Sequence, residues 1–272
     1  MTQPLISVIM GIYNCEDVLE DAIRSIQRQA YTNWELIMCD DGSTDCTYSV
    51  AEKFHKMDPD KYILIRNKRN VGLNHTLNRC LKLAKGKYIA RMDGDDISLP
   101  TRLEKEVEYL EEHSECAIVG CPMILFDERG DYDVNKVLID PDEKNIVCGN
   151  PISHATVLMR RDAVMSIGGY SEDKRTIRVE DVDLWIRLYA KGYSAHNLSE
   201  PLYKMRNDRN AYARRKYKYR INSVRVRYRG CKMFHLPLKY YLMSTRPMLI
   251  GLVPGSIRRI IKRGNKRNVN YQ

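Results

Sequence analysis

Apolar runs of strand length alternate with helical stripes from the start of the chain. Residues 5–10 read LISVIM, and Leu19, Ala22, Ile23 and Ile26 follow at the i, i+3, i+4, i+7 spacing of an amphipathic helix. WELIMC (34–39), YILIR (62–66) and KYIARM (87–92) predict three further strands. Between the last two, Leu73, Leu77, Cys80, Leu81 and Ala84 form a second helical stripe, stopped at Lys85-Gly86. Pro100 opens another helix at a position where proline is tolerated. Downstream, CAIVGCPMILF (116–126), a turn at DERGD, a strand at 134–139 and HATVLMRR (154–161) continue the sheet. The β-α-β-α-β-α-β alternation predicts an α/β fold, a parallel sheet with helices on both faces.

Ligands of such sheets bind outside the carboxyl ends of the strands. The residues there are Gly11-Ile12-Tyr13-Asn14, Asp40-Asp41-Gly42-Ser43, Arg66-Asn67 and Asp93-Gly94-Asp95-Asp96. The chain has no G-x-G-x-x-G and no G-x-x-x-x-G-K-[ST], which argues against a dinucleotide dehydrogenase or a P-loop NTPase. Instead two acidic clusters converge on one sheet edge. Like charges so placed repel and lose hydration, and they need a compensating cation. Asp93-x-Asp95 offers the hard carboxylate oxygens that Mg²⁺ or Mn²⁺ prefers. Mg²⁺ takes one or two protein carboxylates and fills its other positions with water and substrate phosphate, so it can tie a diphosphate to the protein.

SVIMGIYN (7–14), WELIMCDDGSTD (34–45) and the run from Arg66 to Asp96 that ends in RMDGDD resemble the inverting family 2 glycosyltransferases of the GT-A fold. The resemblance runs from about residue 5 to residue 205 in matching order and spacing, and is nearest to bacterial enzymes that build capsule, O-antigen and related surface polysaccharides. It implies a GT-A domain over 1–203, divided into a nucleotide-sugar half (1–98) and an acceptor half (99–203), and a nucleotide-sugar donor, usually a UDP-sugar. By the same resemblance Tyr13 lies along the nucleoside and Asp41 accepts a hydrogen bond from the uracil N–H. Arg66 or Arg69 reaches base or phosphates. Asp93 and Asp95 are the D-x-D pair for ribose and metal (Mn²⁺ or Mg²⁺), with Asp95 as the direct ligand. Asp40 is expected to cap the helix after DDGSTD. VEDVDLW (179–185) resembles the family's E-D block, so Asp181 matches the base that deprotonates the acceptor hydroxyl. Glu180, Trp185 and His154 are the acceptor-side candidates, Asp183 pairs along its helix, and Gly168-Gly169-Tyr170 looks like the loop lining the donor sugar.

The composition of all 272 residues, 43% hydrophobic and 29% charged, is that of a globular protein. The net charge of +10 conceals a division. Residues 201–272 carry 20 Lys and Arg and one acid, Asp208, for +19; residues 1–200 carry 25 bases and 34 acids, for −9. No run approaches the roughly 20 apolar residues of a membrane span. The first residues lack the basic segment of a signal peptide, and the eight cysteines form no C-x-x-C pair, so reduced, buried thiols and a cytoplasmic location are expected. The segment 204–272 predicts a basic helical tail. Its Arg, Lys and Tyr (209–230) and the face of Ile257, Ile260 and Ile261 suit peripheral attachment to anionic lipid on the inner face of the plasma membrane, beside a lipid-linked acceptor. The other reading of the tail is a helical subdomain packed on the acidic domain. Two rival functions are weaker. A nucleic-acid-binding protein would use the Tyr-rich basic tail, but the acidic sheet edge would repel its ligand. A phosphotransferase would need a nucleophilic Asp after the first strand, where Gly11-Ile12-Tyr13-Asn14 stands.

Overall fold

The computed structural model describes residues 3–206 and 217–252. Its first half alternates β1 (Ile6–Ile12), α1 (Leu19–Gln27), β2 (Trp34–Asp40), α2 (Thr47–Met57), β3 (Tyr62–Arg66), α3 (Leu73–Leu83) and β4 (Tyr88–Arg91). There follow β5 (Ile97–Ser98), α4 (Arg102–Glu112), β6 (Cys116–Gly120), β7 (Met123–Asp127), β8 (Gly130–Val134) and α5 (Glu143–Cys148). Then come β9 (Leu158–Arg160), α6 (Arg161–Ser166), α7 (Glu180–Tyr189), β10 (Ser194–Asn197) and β11 (Tyr203–Arg206). Helices α8 (Tyr217–Met233), α9 (Leu238–Ser244) and α10 (Arg246–Leu252) close the described chain.

The main sheet has the order β10-β6-β9-β4-β1-β2-β3. All its pairs are parallel except those of β9, which is antiparallel to both β4 and β6. The central strands are buried on both faces, which is why they read as unbroken apolar runs rather than as alternation. Ile6, Val8 and Met10 of β1 join a core with α1, α2 and α4, while Ile9 joins a second core with α3, α5 and α7. The chain proceeds outward from β1 to β2 and β3, then returns to place β4 on the other side of β1. That reversal opens a crevice at the carboxyl ends of β1 and β4.

Several sequence expectations are displaced, each for a local reason. Pro122 divides the 116–126 run: β6 stays in the main sheet, and β7 enters a second sheet of order β5-β11-β7-β8. The strand expected at 134–139 lies earlier, as β8, in a hairpin with β7. Asn135 ends that hairpin, because its side-chain oxygen accepts from the Met123 N–H (2.5 Å). Arg161 begins α6 rather than ending a strand.

The boundary expected after residue 203 falls inside β11, which pairs with β5 and β7. The tail beyond it is partly interior. Val226 and Cys231 of α8 belong to the second core. A Cβ on Gly230 would stand 2.7 Å from Ile186 Cδ1 and 2.9 Å from Val147 Cγ1, so glycine lets α8 seat closely on α7 and α5. Residues 207–216 and 253–272, including much of the basic run and the Ile257, Ile260 and Ile261 face, lie outside the described residues. All eight cysteines are unpaired; most are buried, but Cys46 is exposed.

Candidate active site

Two loops at the ends of β1 and β2 form the first wall of a cleft of about 580 Å³. Tyr13 stands there 46% exposed, and Asp41 is nearly buried behind it. The Asp41 Oδ1 accepts from the Val71 N–H (2.9 Å) and Asn67 Nδ2 (2.8 Å), and its Oδ2 accepts from the Gly72 N–H (2.9 Å). The carboxylate thereby draws the loop before α3 against the cleft. Gly42 makes this approach possible: it has φ +74°, and a Cβ would lie 2.7 Å from the Arg69 backbone.

Asp40 turns the other way. It accepts from the Ser43 N–H (3.0 Å) and pairs with Arg66 Nε (2.8 Å), so it closes a turn, whereas α2 begins only at Thr47. Arg66 is held by Asp40, by the Ser43 carbonyl (3.0 Å) and over the Tyr48 ring, and Arg69 is exposed behind the Gly42 turn. Neither lines the cleft. The cations that do are Lys174 and Arg178, on the opposite wall. Arg178 has φ +67°, a conformation that costs a non-glycine residue energy and that concentrates at functional sites.

The acidic loop after β4 is assembled by counter-charges. Buried Arg91 forms a two-pronged pair with Asp93, one contact measuring 2.7 Å. Tyr203 of β11 donates its O–H to Asp96 (3.0 Å) and accepts the Asp93 N–H (3.2 Å), and the Arg206 N–H donates to Asp96 (2.8 Å). Oxygens of Asp93, Asp95 and Asp96 lie within 4.8 Å of one another. Lost hydration and then Asp93 push the Asp95 carboxyl up to about 6, although it reaches solvent at the rim. Burial, followed by the charges of Asp93 and Asp95, pushes buried Asp96 well above the usual range. Three oxygens at this separation, two of them committed to internal partners and the third outward, suit a hard divalent cation held by one or two carboxylates.

Opposite stands the start of α7. The Asp181 Oδ2 accepts from Asn150 Nδ2 (2.8 Å), and its Oδ1 accepts from the Val182 N–H (2.8 Å). Glu180 lines the cleft and keeps one buried carboxylate oxygen without a partner. Asp183 is buried and pairs with Arg187 (2.8 Å) and with Arg229 of α8. Two acceptor-side expectations are corrected. Trp185 has no exposed surface and is a core residue, since i+4 from Asp181 points into the second hydrophobic cluster. His154 bonds to the Tyr170 hydroxyl (2.8 Å), stacks edge-on against Trp185, and does not line the cleft. Burial and then Arg91 hold its imidazole well below the usual value, so it is neutral. Gly168-Gly169-Tyr170 is likewise a brace: Tyr170 exchanges backbone bonds with the Asn78 side chain of α3 (2.8 and 2.9 Å).

The cleft joins an aromatic and a carboxylate, Tyr13 and Asp41, to Glu180 at the start of α7; Asp181 and the acids of the Asp93–Asp96 loop are not among its lining residues. The profile of Glycosyl transferase family 2 matches residues 7–168. The chain belongs to that family. This glycosyltransferase is 42% identical over 269 residues to the putative glycosyltransferase EpsE of Bacillus subtilis, covering 99% of this chain and 96% of the relative. It is 31% identical over 198 residues to an Escherichia coli protein, covering 71% of this chain and 73% of that one. That relative is the UDP-Glc:alpha-D-GlcNAc-diphosphoundecaprenol beta-1,3-glucosyltransferase WfaP. TarS of S. aureus, crystallised as residues 1–349 with UDP, superposes with a TM-score of 0.69 at 18% identity, over 90% of this chain and 70% of that structure. The shared architecture is GT-A.

Residues missed in the sequence include Asp96, Lys174, Arg178, Asn150 and Tyr219, the last reaching the cleft from α8. Asp96 follows the D-x-D pair directly, and only its contacts to Tyr203 and Arg206 distinguish it; the others sit between the regular strands and helices or in the basic tail, where no periodicity marks them. Glu180 carries a testable signature. Burial, and then the charge of Asp181, raise it from 4.5 to about 7. The folded chain then holds a proton that the unfolded chain releases, so stability falls as pH rises through that window. Glu180→Gln should therefore gain thermal stability over the parent between pH 5 and pH 8 in scanning calorimetry; a pH-independent difference would contradict the burial of this carboxylate.

Proposed function

We propose that this glycosyltransferase moves a hexosyl group, with inversion, from a UDP-sugar to a hydroxyl of a lipid-linked glycan in surface-polysaccharide synthesis. One observation carries the reading: a single cleft joins Tyr13 and Asp41 to Glu180 of the E-D block. Each carboxylate oxygen accepts two hydrogen bonds. Since Asp41 Oδ2 has one donor, the Gly72 N–H, it retains capacity for a uracil N–H. WfaP's name specifies UDP-Glc and a diphosphoundecaprenol-linked acceptor, and relatives of that kind favour the same substrate classes here.

In the proposed reaction Asp181 takes the proton of the acceptor hydroxyl. The oxygen attacks the anomeric carbon from the face opposite UDP, the new C–O bond forms, and the bond to the β-phosphate oxygen breaks with its electron pair leaving on UDP. Asn150 and the Val182 N–H orient the Asp181 carboxylate. Lys174 and Arg178 supply positive charge along the cleft for the diphosphate. Asp95, with Asp93, would hold Mn²⁺ or Mg²⁺, which when bound neutralises charge on the leaving group.

The second part of the proposal is attachment to the anionic inner face of the plasma membrane. Among the described residues no helix is long and apolar enough to cross a membrane. Helices α9 and α10 expose Leu238 (73%), Leu242 (64%) and Leu249 (55%) around Lys239 and Arg246. Apolar side chains ringed by cations suit a lipid interface, where each basic residue contributes about 1 kcal/mol.

Asp181→Asn should abolish transfer, read as UDP release, while calorimetric UDP binding stays within about twofold; Asp95→Ala should lose the Mn²⁺-dependent part of that binding. Full transfer by Asp181→Asn would remove the base from the scheme. In flotation with phosphatidylglycerol vesicles at low salt, the full chain should rise with the lipid, and Leu238→Glu/Leu242→Glu should stay below. A parent chain that never floats would sink the membrane claim.

A further inference from the structure

We propose that Arg227, a buried residue of the basic tail, is a positioning residue for transfer, acting through Asn150 on Asp181. This rests on the assignment of Asp181 as base. The Arg227 Nη1 donates to the carbonyls of Ile146 (2.9 Å), Val147 (2.9 Å) and Gly149 (2.5 Å). The first two are carbonyls of the last turn of α5, groups that lack intrahelical partners and favour a cation. The third belongs to the residue before Asn150. Two residues further along, the Pro151 carbonyl accepts from Asn197 Nδ2 (3.1 Å), and Asn197 is itself fully buried. Asn150 is therefore exposed but pinned on both flanks by buried side chains, and proline after it further narrows its backbone. Its amide then holds Asp181 Oδ2 at 2.8 Å.

The same helix holds the other approach to the base. Asn222 Nδ2 donates to the carbonyls of Lys174 (3.3 Å) and Ile177 (3.2 Å), in the loop that delivers Arg178 and Glu180 to the cleft. Helix α8 thus grips the segments on both sides of Asp181. The arginine matters because its planar guanidinium is anchored at Nε by Ser223 Oγ (3.1 Å), which fixes the direction of Nη1, whereas a lysine offers an unanchored point charge. A net charge alone would be satisfied by either.

The test compares four variants of the full chain: Asn150→Ala, Arg227→Lys, their combination and Asp181→Asn. UDP release is measured with the UDP-sugar that most stabilises the parent, and vesicles of GlcNAc-diphosphoundecaprenol serve as acceptor. Asn150→Ala should lower kcat by roughly ten- to a hundredfold with the donor KM within about twofold, the scale of an ångström's misplacement. Arg227→Lys should lower kcat about tenfold, and the combined variant should lie within about twofold of Asn150→Ala, because both act on one path. Arg227→Gln, which keeps two N–H donors, should repeat the pattern and serves if Arg227→Lys melts early. Multiplying effects, or an Asn150→Ala enzyme with parental kcat, would overturn the relay. An active Asp181→Asn enzyme would instead overturn the base assignment beneath it.

Discussion

Carboxylates gathered at the carboxyl end of a parallel sheet repel one another, and the site depends on how that repulsion is contained. After β4 three acids lie within 4.8 Å. Arg91 answers Asp93 from inside the core, while Tyr203 and the Arg206 backbone answer Asp96 from β11. Asp95 is left at the rim, pushed up to about 6 by lost hydration and by Asp93, a state that a divalent cation would relieve. The small second sheet is thus more than a covering: its strand β11 braces the acidic loop and meets β5 directly after it.

The same need for counter-charge governs the tail. Its excess of cations reads at first as a surface property, but α8 turns two of them toward the catalytic domain. Arg229 reaches buried Asp183, and Arg227 satisfies the end of α5. Gly230 permits this approach because any larger side chain would strike Ile186 and Val147. What remains outward on α9 and α10 is a mixture of leucines and cations, a surface of a different kind. Two roles therefore divide one basic segment, with the inner one continuous with the catalytic domain.

Much of the frame was legible because it rests on burial. The apolar runs at 5–10, 34–39 and 62–66 became β1, β2 and β3, and the stripe Leu19, Ala22, Ile23, Ile26 became the buried face of α1. The acids Asp41, Asp93 and Asp95 stood out because each follows a strand, whereas Asp181 stood out only through its resemblance to the family's E-D block. What periodicity could not convey was side-chain direction in loops. Arg66 and Arg69 stood beside the right strand, yet a turn at Asp40 holds one and the Gly42 approach leaves the other outside. Trp185 looked available beside the E-D pair, but helical geometry sends it into the core. Arg178 and Asn150, both in irregular segments, emerge only once the fold brings the first to the cleft and the second to Asp181.

The most direct measurement is a crystal structure of the full chain with UDP and Mn²⁺, using anomalous scattering to locate the metal. The account predicts uracil against Tyr13 and Asp41, an anomalous peak within bonding distance of Asp95, and the diphosphate between that peak and Arg178. UDP bound away from this cleft, or a Mn²⁺ peak remote from the Asp93–Asp96 loop, would contradict it.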